Sequence, residues 1–316
     1  MDELDAWQRL RRDQENVAGY RQLLGQGFTL AAIRANVAAG RWVPLFRGVY
    51  ALVTGPPTPA MWRWAALLFI RGPAMLSHET AAGVLGLRGG RVDGPIHVTV
   101  PYGSSASGCA GIAVHRSKAF AHIGLAGSVP PVTSRVTTVV DLAVEAPSSR
   151  EGMRVLTASA AAARLDGTKI TEHLDLRRPR RYAKALRAAA QFLVDGVQSV
   201  LELDYATDVE LAHGLPAGLR QVLHRVGDTN RFEDLEYRMP LGVLTVRLDG
   251  FIVHANRRTA RSDRARDNVA ELEGRARLTF GYDEVHDEPY DRTPRLVPAP
   301  PAGLGRGVHE MCAMRR

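Results

Sequence analysis

Lysine is nearly missing from this chain. Of its 316 residues only Lys118, Lys169 and Lys184 are lysines, so the net charge of +8 is carried almost wholly by arginine. Cysteine is scarcer still: Cys109 and Cys312 stand alone and far apart, which excludes a disulfide framework and a cysteine zinc finger. Long apolar runs are missing too. AALLFI at 65–70 is fenced by Arg63 and Arg71 and falls far short of the ~20 residues that span a bilayer. The first residues, MDELDAWQRLRRD, hold no apolar segment of the signal-peptide kind. These absences lead to the expectation of a cytoplasmic protein with no membrane partner. The arginine excess has two readings. A GC-rich gene explains it, and so does phosphate binding, because the guanidinium fork matches phosphate oxygens.

What is present divides by pattern into an expected five parts, with a mixed α/β fold class. Residues 3–13 and 16–25 read as two short helices, and Gly27 breaks the second. Thr29 is placed to cap a third, LAAIRANVAAG, which Gly40 stops. WVPLF and GVYALV then read as strands joined by a turn at Phe46, Arg47 and Gly48. Three small helices and a ribbon give an expected winged helix-turn-helix over 1–55. In its third helix Leu30, Ile33 and Val37 share one face, which predicts burial, while Arg34 lies away from it and Asn36 at its border. Arginine reads guanine and asparagine reads adenine in the major groove. Arg41 before the first strand and Arg47 in the turn are placed to reach phosphates. The outward face is otherwise alanine-rich, so a winged helix used for protein contacts is the competing reading.

Residues 56–148 read as an α/β region. A helix opens at Pro59, IHVTVP (96–101) and GIAVHRS read as strands, and a helix lies near 135–145. In SHET, Ser77 reads as a helix cap and His78 and Glu79 as structural neighbours of it. His97 and His115 lie on strand-like segments, where a single histidine is more often packed or exposed than a ligand. GSSASG at 103–108 lacks the lysine and helix of a phosphate loop. Residues 149–195 read as a helical connector. The run Arg177 to Arg181 reads as a solvated helix end, and 291–316, rich in Pro, Gly and Arg, as a disordered tail.

Residues 196–290 place Glu202 on a helix, Asp234 and Asp249 on strands, and His254 just beyond. Carboxylates brought close together hold a divalent cation. The cation lowers the pKa of a bound water and offsets charge on a scissile phosphate, while an adjacent group moves the proton. The order helix, strand, strand, helix, strand predicts an α/β sandwich.

Two resemblances follow from these strings. GFTLAAIRANVAAGRWVPLFRGVYAL, with LSHETAAGVLGL, IHVTVP and PVTSRVTTVVDLA, resembles AbiEi-type antitoxins, the transcriptional autorepressors of type IV toxin–antitoxin systems. It implies a DNA-binding regulator that needs no cofactor, whose partners are double-stranded DNA, a cognate toxin protein and a second copy of the chain. Arg34, Arg41 and Arg47 are the positions it points to, and the helix-face reading adds Asn36 to the expected DNA-binding set. SVLELD, RFEDLEY, VRLDGFIVH and DRARDNVAELEG resemble the very-short-patch-repair-endonuclease-like branch of the restriction-endonuclease-like fold. That resemblance implies Asp234 and Asp249 as Mg2+ ligands, with His254 and Glu202 completing the catalytic set. Relatives commonly read E-x-D-G where this chain reads R-L-D-G. Arg247 cannot ligate a cation, which implies an inactive centre. A DNA-binding regulator is therefore the first expectation. A metal-dependent endonuclease and a protein-interaction module are the alternatives.

Overall fold

The computed structural model describes residues 3–87, 94–226, 229–239, 242–249, 276–281 and 285. The fold is mixed α/β and divides into two compact units, Met1–Ala188 and Ala189–Arg316.

The first unit begins with α1 (Glu3–Asp13), β1 (Val17–Gly19), α2 (Tyr20–Gly25), α3 (Leu30–Ala38), β2 (Val43–Phe46) and β3 (Val49–Ala51). The strands form an antiparallel sheet in the order β1-β3-β2, with Val17 opposite Ala51 and Gly19 opposite Val49. This is the element order of a winged helix-turn-helix. Sequence pattern alone extends the second helix back to residue 16, whereas Val17–Gly19 is a strand. Val17 and Ala18 are fully buried, and the backbone hydrogen bonds gained along β3 decide the conformation over local helix propensity. Thr29 caps α3 by accepting from the Ala32 N–H at 3.1 Å. Ile33 packs with Ala18 and Leu23 under Trp7, Phe28, Trp42 and Tyr50. Leu30 departs from the expected buried face. It is 42% exposed, at the first position of the helix.

Thr58 accepts from Met61 N–H and Pro59 takes the first position of α4 (Pro59–Ile70), as a proline with no N–H to lose should. β4 (Met75–Leu76), α5 (His78–Val84), β5 (Ile96–Pro101), β6 (Ile112–Ser117) and α6 (Arg135–Glu145) follow. β4 runs antiparallel to β5, and β5 runs parallel to β6, in the order β4-β5-β6. One face of this sheet buries Val98, Val100 and Ile112 with Ala66, Leu67 and Ile70 of α4. The alternate residues, His97 and Thr99, face the other way. α7 (Ser149–Ala163), α8 (Gly167–Arg177) and α9 (Ala183–Val194) complete the helical part. α7 packs on α6 at Gly152, where an added Cβ would lie 2.9 Å from the Ala143 carbonyl oxygen.

In the second unit α10 (Val200–Asp204) runs on into a π-helical turn at Tyr205–Leu211. β7 (Leu219–Val226), β8 (Thr229–Met239), β9 (Gly242–Asp249) and β10 (Ala276–Gly281) form one sheet in the order β10-β9-β8-β7. β9 and β10 are parallel, and the other pairs are antiparallel. β7 is a strand that the sequence pattern leaves unread. Its hydrophobic alternation is broken at Gln221, which has φ +52° and stands at a gap in the pairing with β8, between Arg220 opposite Leu235 and Val222 opposite Glu233. Leu201, Tyr205, Leu235, Tyr237, Leu244 and Val246 form the core between helix and sheet. Burial here extends to charge. Arg220 pairs with Glu210, whose carboxylate also accepts from the Tyr237 hydroxyl at 2.6 Å and the Gly218 N–H at 2.8 Å. The segment expected to form a helix at 266–274 and the tail at 291–316 lie outside the described residues.

Candidate functional site

Three arginines stand at the surface of the N-terminal helices and strand pair. Arg34 projects from α3, Arg41 follows that helix, and Arg47 sits in the turn between β2 and β3; all three are exposed. Asn36 is held by two hydrogen bonds within the protein. Its Nδ2 donates to the Ala32 carbonyl at 2.9 Å, and its Oδ1 accepts from Arg41 Nε at 2.7 Å. These bonds tie the amide to α3 and orient Arg41. Arg47 lines a surface cleft with Arg71, Phe69, Ser105 and Ser107. The loop carrying those serines is held by Arg116, which donates to the carbonyls of Ser104 and Ala106 at 3.2 and 2.6 Å. The result is a groove with two guanidinium groups and two hydroxyls, the chemistry that suits phosphate oxygens.

The acidic residues of the second unit are arranged differently from a bare metal cage. Glu202 is 7% exposed and sits in the first turn of α10, which Ser199 caps. Ser199 Oγ accepts from Glu202 N–H at 3.2 Å and donates to Glu202 Oε1 at 3.0 Å; Glu202 Oε2 accepts from Gln198 N–H at 3.0 Å. Burial raises the Glu202 pKa against these hydrogen bonds, and the negative charge of Asp234 adds to the rise, so the two carboxylates are electrostatic neighbours. Asp234 Oδ2 accepts from the Leu248 N–H at 2.9 Å, which ties it to β9. β8 and β9 pair Leu235 with Val246, and the next step along both strands brings in Asp234 and Arg247. Asp249 ends β9 opposite Gly281. His254 lies outside the described residues. Sequence reasoning passed over the acids that the sheet buries, Glu233 and Glu236. Glu236 takes His224 at 2.7 Å and Arg238 at 2.8 Å, and Glu233 faces Arg277 at 3.8 Å. Alternation in RFEDLEY carries no sign that a strand face buries charge, because that depends on partners from other strands.

A third constellation brings together residues that the sequence reading separated. His78 at the start of α5, His97 on β5 and His115 on β6 stack on one another. The His78 and His115 ring centroids are 3.6 Å apart, and His97 Nδ1 is 2.9 Å from His115 Nε2. The parallel register sets Thr99 opposite His115, so His97 and His115 are diagonal neighbours on one face. Ser77 turns its hydroxyl to His78 Nδ1 at 3.0 Å and makes no side-chain cap of α5, which corrects the expected role. His78 itself is 3% exposed with φ +53°, a backbone region that non-glycine residues rarely occupy. Asp141 and Glu145, one turn apart on α6, approach from the side: Asp141 Oδ2 lies 3.7 Å from His78 Nδ1 and Glu145 Oε1 lies 3.8 Å from His78 Nε2. Arg177, expected at a solvated helix end, instead donates to Asp141 Oδ1 at 2.9 Å and to Ser117 Oγ at 3.2 Å.

Burial holds all three imidazoles below their ordinary pKa, reinforced at His78 and His115 by repulsion from the neighbouring rings and Arg177; His115 falls to about 4. Burial raises Asp141 to about 6 even though Arg177 opposes it. Among the described residues, these three histidines are the group whose ligand atoms lie close enough to share a metal ion, all within 4.8 Å of one another. The sequence signal was faint: three of the ten histidines fall in the buried-patterned segments SHET, IHVTV and AVHRS of one region.

Among the described residues no helix is long and apolar enough to cross a membrane. Comparison of the sequence with protein-family models and with curated proteins finds no match. Among solved structures, the crystal structure of the RV2827C protein from Mycobacterium tuberculosis is similar at 16% identity and a TM-score of 0.39, over 68% of this chain and 82% of that one. A likeness that distant carries no argument about this chain.

Proposed function

We infer that this protein is a DNA-binding transcriptional regulator of the AbiEi antitoxin type, acting through its N-terminal winged helix. The observation that carries the reading is the exposure of Arg34 on α3 together with Arg41 and Arg47 beside and within the strand pair that follows it. A helix that enters the major groove and a wing that tracks the backbone need cations at those places. The Arg47–Arg71 cleft with its serine loop supplies further phosphate-binding groups. Asn36 serves this reading by orienting Arg41. Base readout then falls mainly to Arg34, so affinity comes chiefly from phosphate contacts and depends steeply on salt. A cognate toxin and a second copy of the chain are the partners that go with this role.

The endonuclease alternative has less support. Both Glu202 oxygens accept hydrogen bonds at the start of α10, and Arg247 stands where relatives of the resembled fold carry a metal-ligating glutamate. The purified chain is expected to retard a duplex from its own upstream region, with affinity falling as salt rises. Failure to bind that duplex at low salt would overturn the regulator reading. Nicking of plasmid DNA with Mg2+ or Mn2+ that disappears in Asp234→Asn would replace it with the nuclease.

A further inference from the structure

We propose that His78, His97 and His115, closed by Glu145, bind a divalent transition-metal ion, with Zn2+ the expected occupant, as a structural staple of the middle α/β region. Each imidazole offers a ring nitrogen within 4.8 Å of the other two. Tetrahedral zinc with bonds of about 2.0–2.1 Å needs its ligand atoms roughly 3.4 Å apart, a change within reach of small side-chain rotations. His97 and His115 already hold nitrogens 2.9 Å apart. Neutral imidazole nitrogens with one carboxylate suit zinc, nickel or copper over magnesium or calcium, which take oxygen sets.

The surroundings are organised as a ligand shell requires. The backbone fixes two of the ligands to each other, since Ser77 N–H donates to the His97 carbonyl at 3.0 Å and His97 N–H donates to Thr80 Oγ1 at 2.9 Å. His78 is held at φ +53°, a conformation that costs a non-glycine residue free energy and that aims the ring into the cluster. Glu145 Oε1 stands 3.8 Å from His78 Nε2, and 4.0 Å from His115 Nδ1, the ring nitrogen that does not meet His97. Its side chain is 54% exposed, which leaves the ion an open approach from solvent. Asp141 is the orienting carboxylate. Arg177 fixes its Oδ1, while Oδ2 is buried without a hydrogen-bond partner and points toward His78 Nδ1. A carboxylate behind a metal-bound histidine sets the tautomer and raises the basicity of the ring. Burial keeps the imidazoles neutral, the form that ligates. A bound ion would join α5, β5 and β6, with Glu145 of α6 at its edge.

The test uses the full chain, stripped with a chelator and titrated with Zn2+ by calorimetry, then with Co2+ by visible absorption. The expected result is a single saturable ion per chain, a rise in Tm with Zn2+, and the intense bands of four-coordinate Co2+. His97→Gln and His115→Gln, each checked for native circular dichroism, lose that binding. The exposed His122→Gln retains it. Asp141→Asn weakens it about 10- to 100-fold, as outer-shell partners of zinc histidines do. Glu145→Gln changes the Co2+ spectrum toward an open coordination site. No saturable binding by the parent, or binding undiminished in both His97→Gln and His115→Gln, would overturn the site. DNA retardation is read separately, so loss of the metal site and loss of the regulator reading are distinguishable.

Discussion

Arg177 Nη2 meets Asp141 Oδ1 at 2.9 Å and ties the last turn of α8 to the middle of α6. Asp141 is 1% exposed, and its second oxygen has no hydrogen-bond partner. A carboxylate so placed depends on its guanidinium. Arg177→Leu strands it, and removing one partner of a buried pair costs about 3–5 kcal/mol. The midpoint of urea unfolding should fall accordingly; an unchanged midpoint would show that the pair contributes nothing to stability.

The α6–α7 crossing depends on a missing side chain. A Cβ at Gly152 would sit 2.9 Å from the Ala143 carbonyl oxygen and 3.3 Å from the Tyr182 ring. The first neighbour is backbone and cannot rotate away. Gly152→Ala should therefore destabilise the protein by about 1–3 kcal/mol despite the better helix propensity of alanine. Thermal unfolding of the variant is the direct measure.

His173 gives the first unit a dependence on acid. It is buried, and burial, aided by Arg177, lowers its pKa from 6.5 to about 4. The unfolded chain therefore takes up this proton first. The stability held by neutral His173 is fully present above 6.5 and is lost as pH falls toward about 4. The His173→Leu variant should lose less stability than the parent across that window. Equal losses in the two proteins would show that other groups carry the acid sensitivity.

Tyr237 donates to Glu210 Oε1 at 2.6 Å inside the second unit, where Arg220 neutralises the same carboxylate. Tyr237→Phe removes a hydrogen bond to a charged group and should cost about 1.5–3 kcal/mol. Glu210→Ala leaves Arg220 buried without its carboxylate and should cost more, about 3–5 kcal/mol. The order of the two variants in denaturant is the prediction to check, since the reverse order would exclude a buried ion pair as the larger contribution.

DNA affinity should respond to Arg34 and Arg47 in different ways. If the proposed regulator role holds, Arg47→Ala removes one phosphate contact, and the slope of log affinity against log salt should shrink by about 1 on every duplex tested. Arg34→Ala should also reduce discrimination between the upstream duplex and an unrelated one. Fluorescence anisotropy over a salt series separates the two effects.

Much of the first unit was legible. Thr29 marks a helix start by residue type and accepts the predicted backbone hydrogen bond; Thr58, Ser134 and Ser148 cap in the same way, though the pattern did not single them out as caps. Ser77 looks the same in sequence and does not, because a buried histidine competes for its hydroxyl. β1 and β7 escaped the pattern, since pairing with another strand, not local alternation, makes them strands. Glu202 was correctly placed at the start of a helix, but its capping bonds to Ser199 and Gln198 are a matter of geometry.

The sequence by itself determined the mixed α/β class, most helix starts, the poverty of lysine and cysteine, and the arginines of the winged helix. Those are local or compositional properties, set by propensity, capping and periodicity. Tertiary structure alone decided that Arg177 serves Asp141 and that His78, His97 and His115 meet. Their positions span 37 residues of sequence (115 − 78), and no local pattern encodes that distance. A parallel strand pair and the start of a helix bring the three rings within contact, and only that packing makes three ordinary histidines into a candidate metal site.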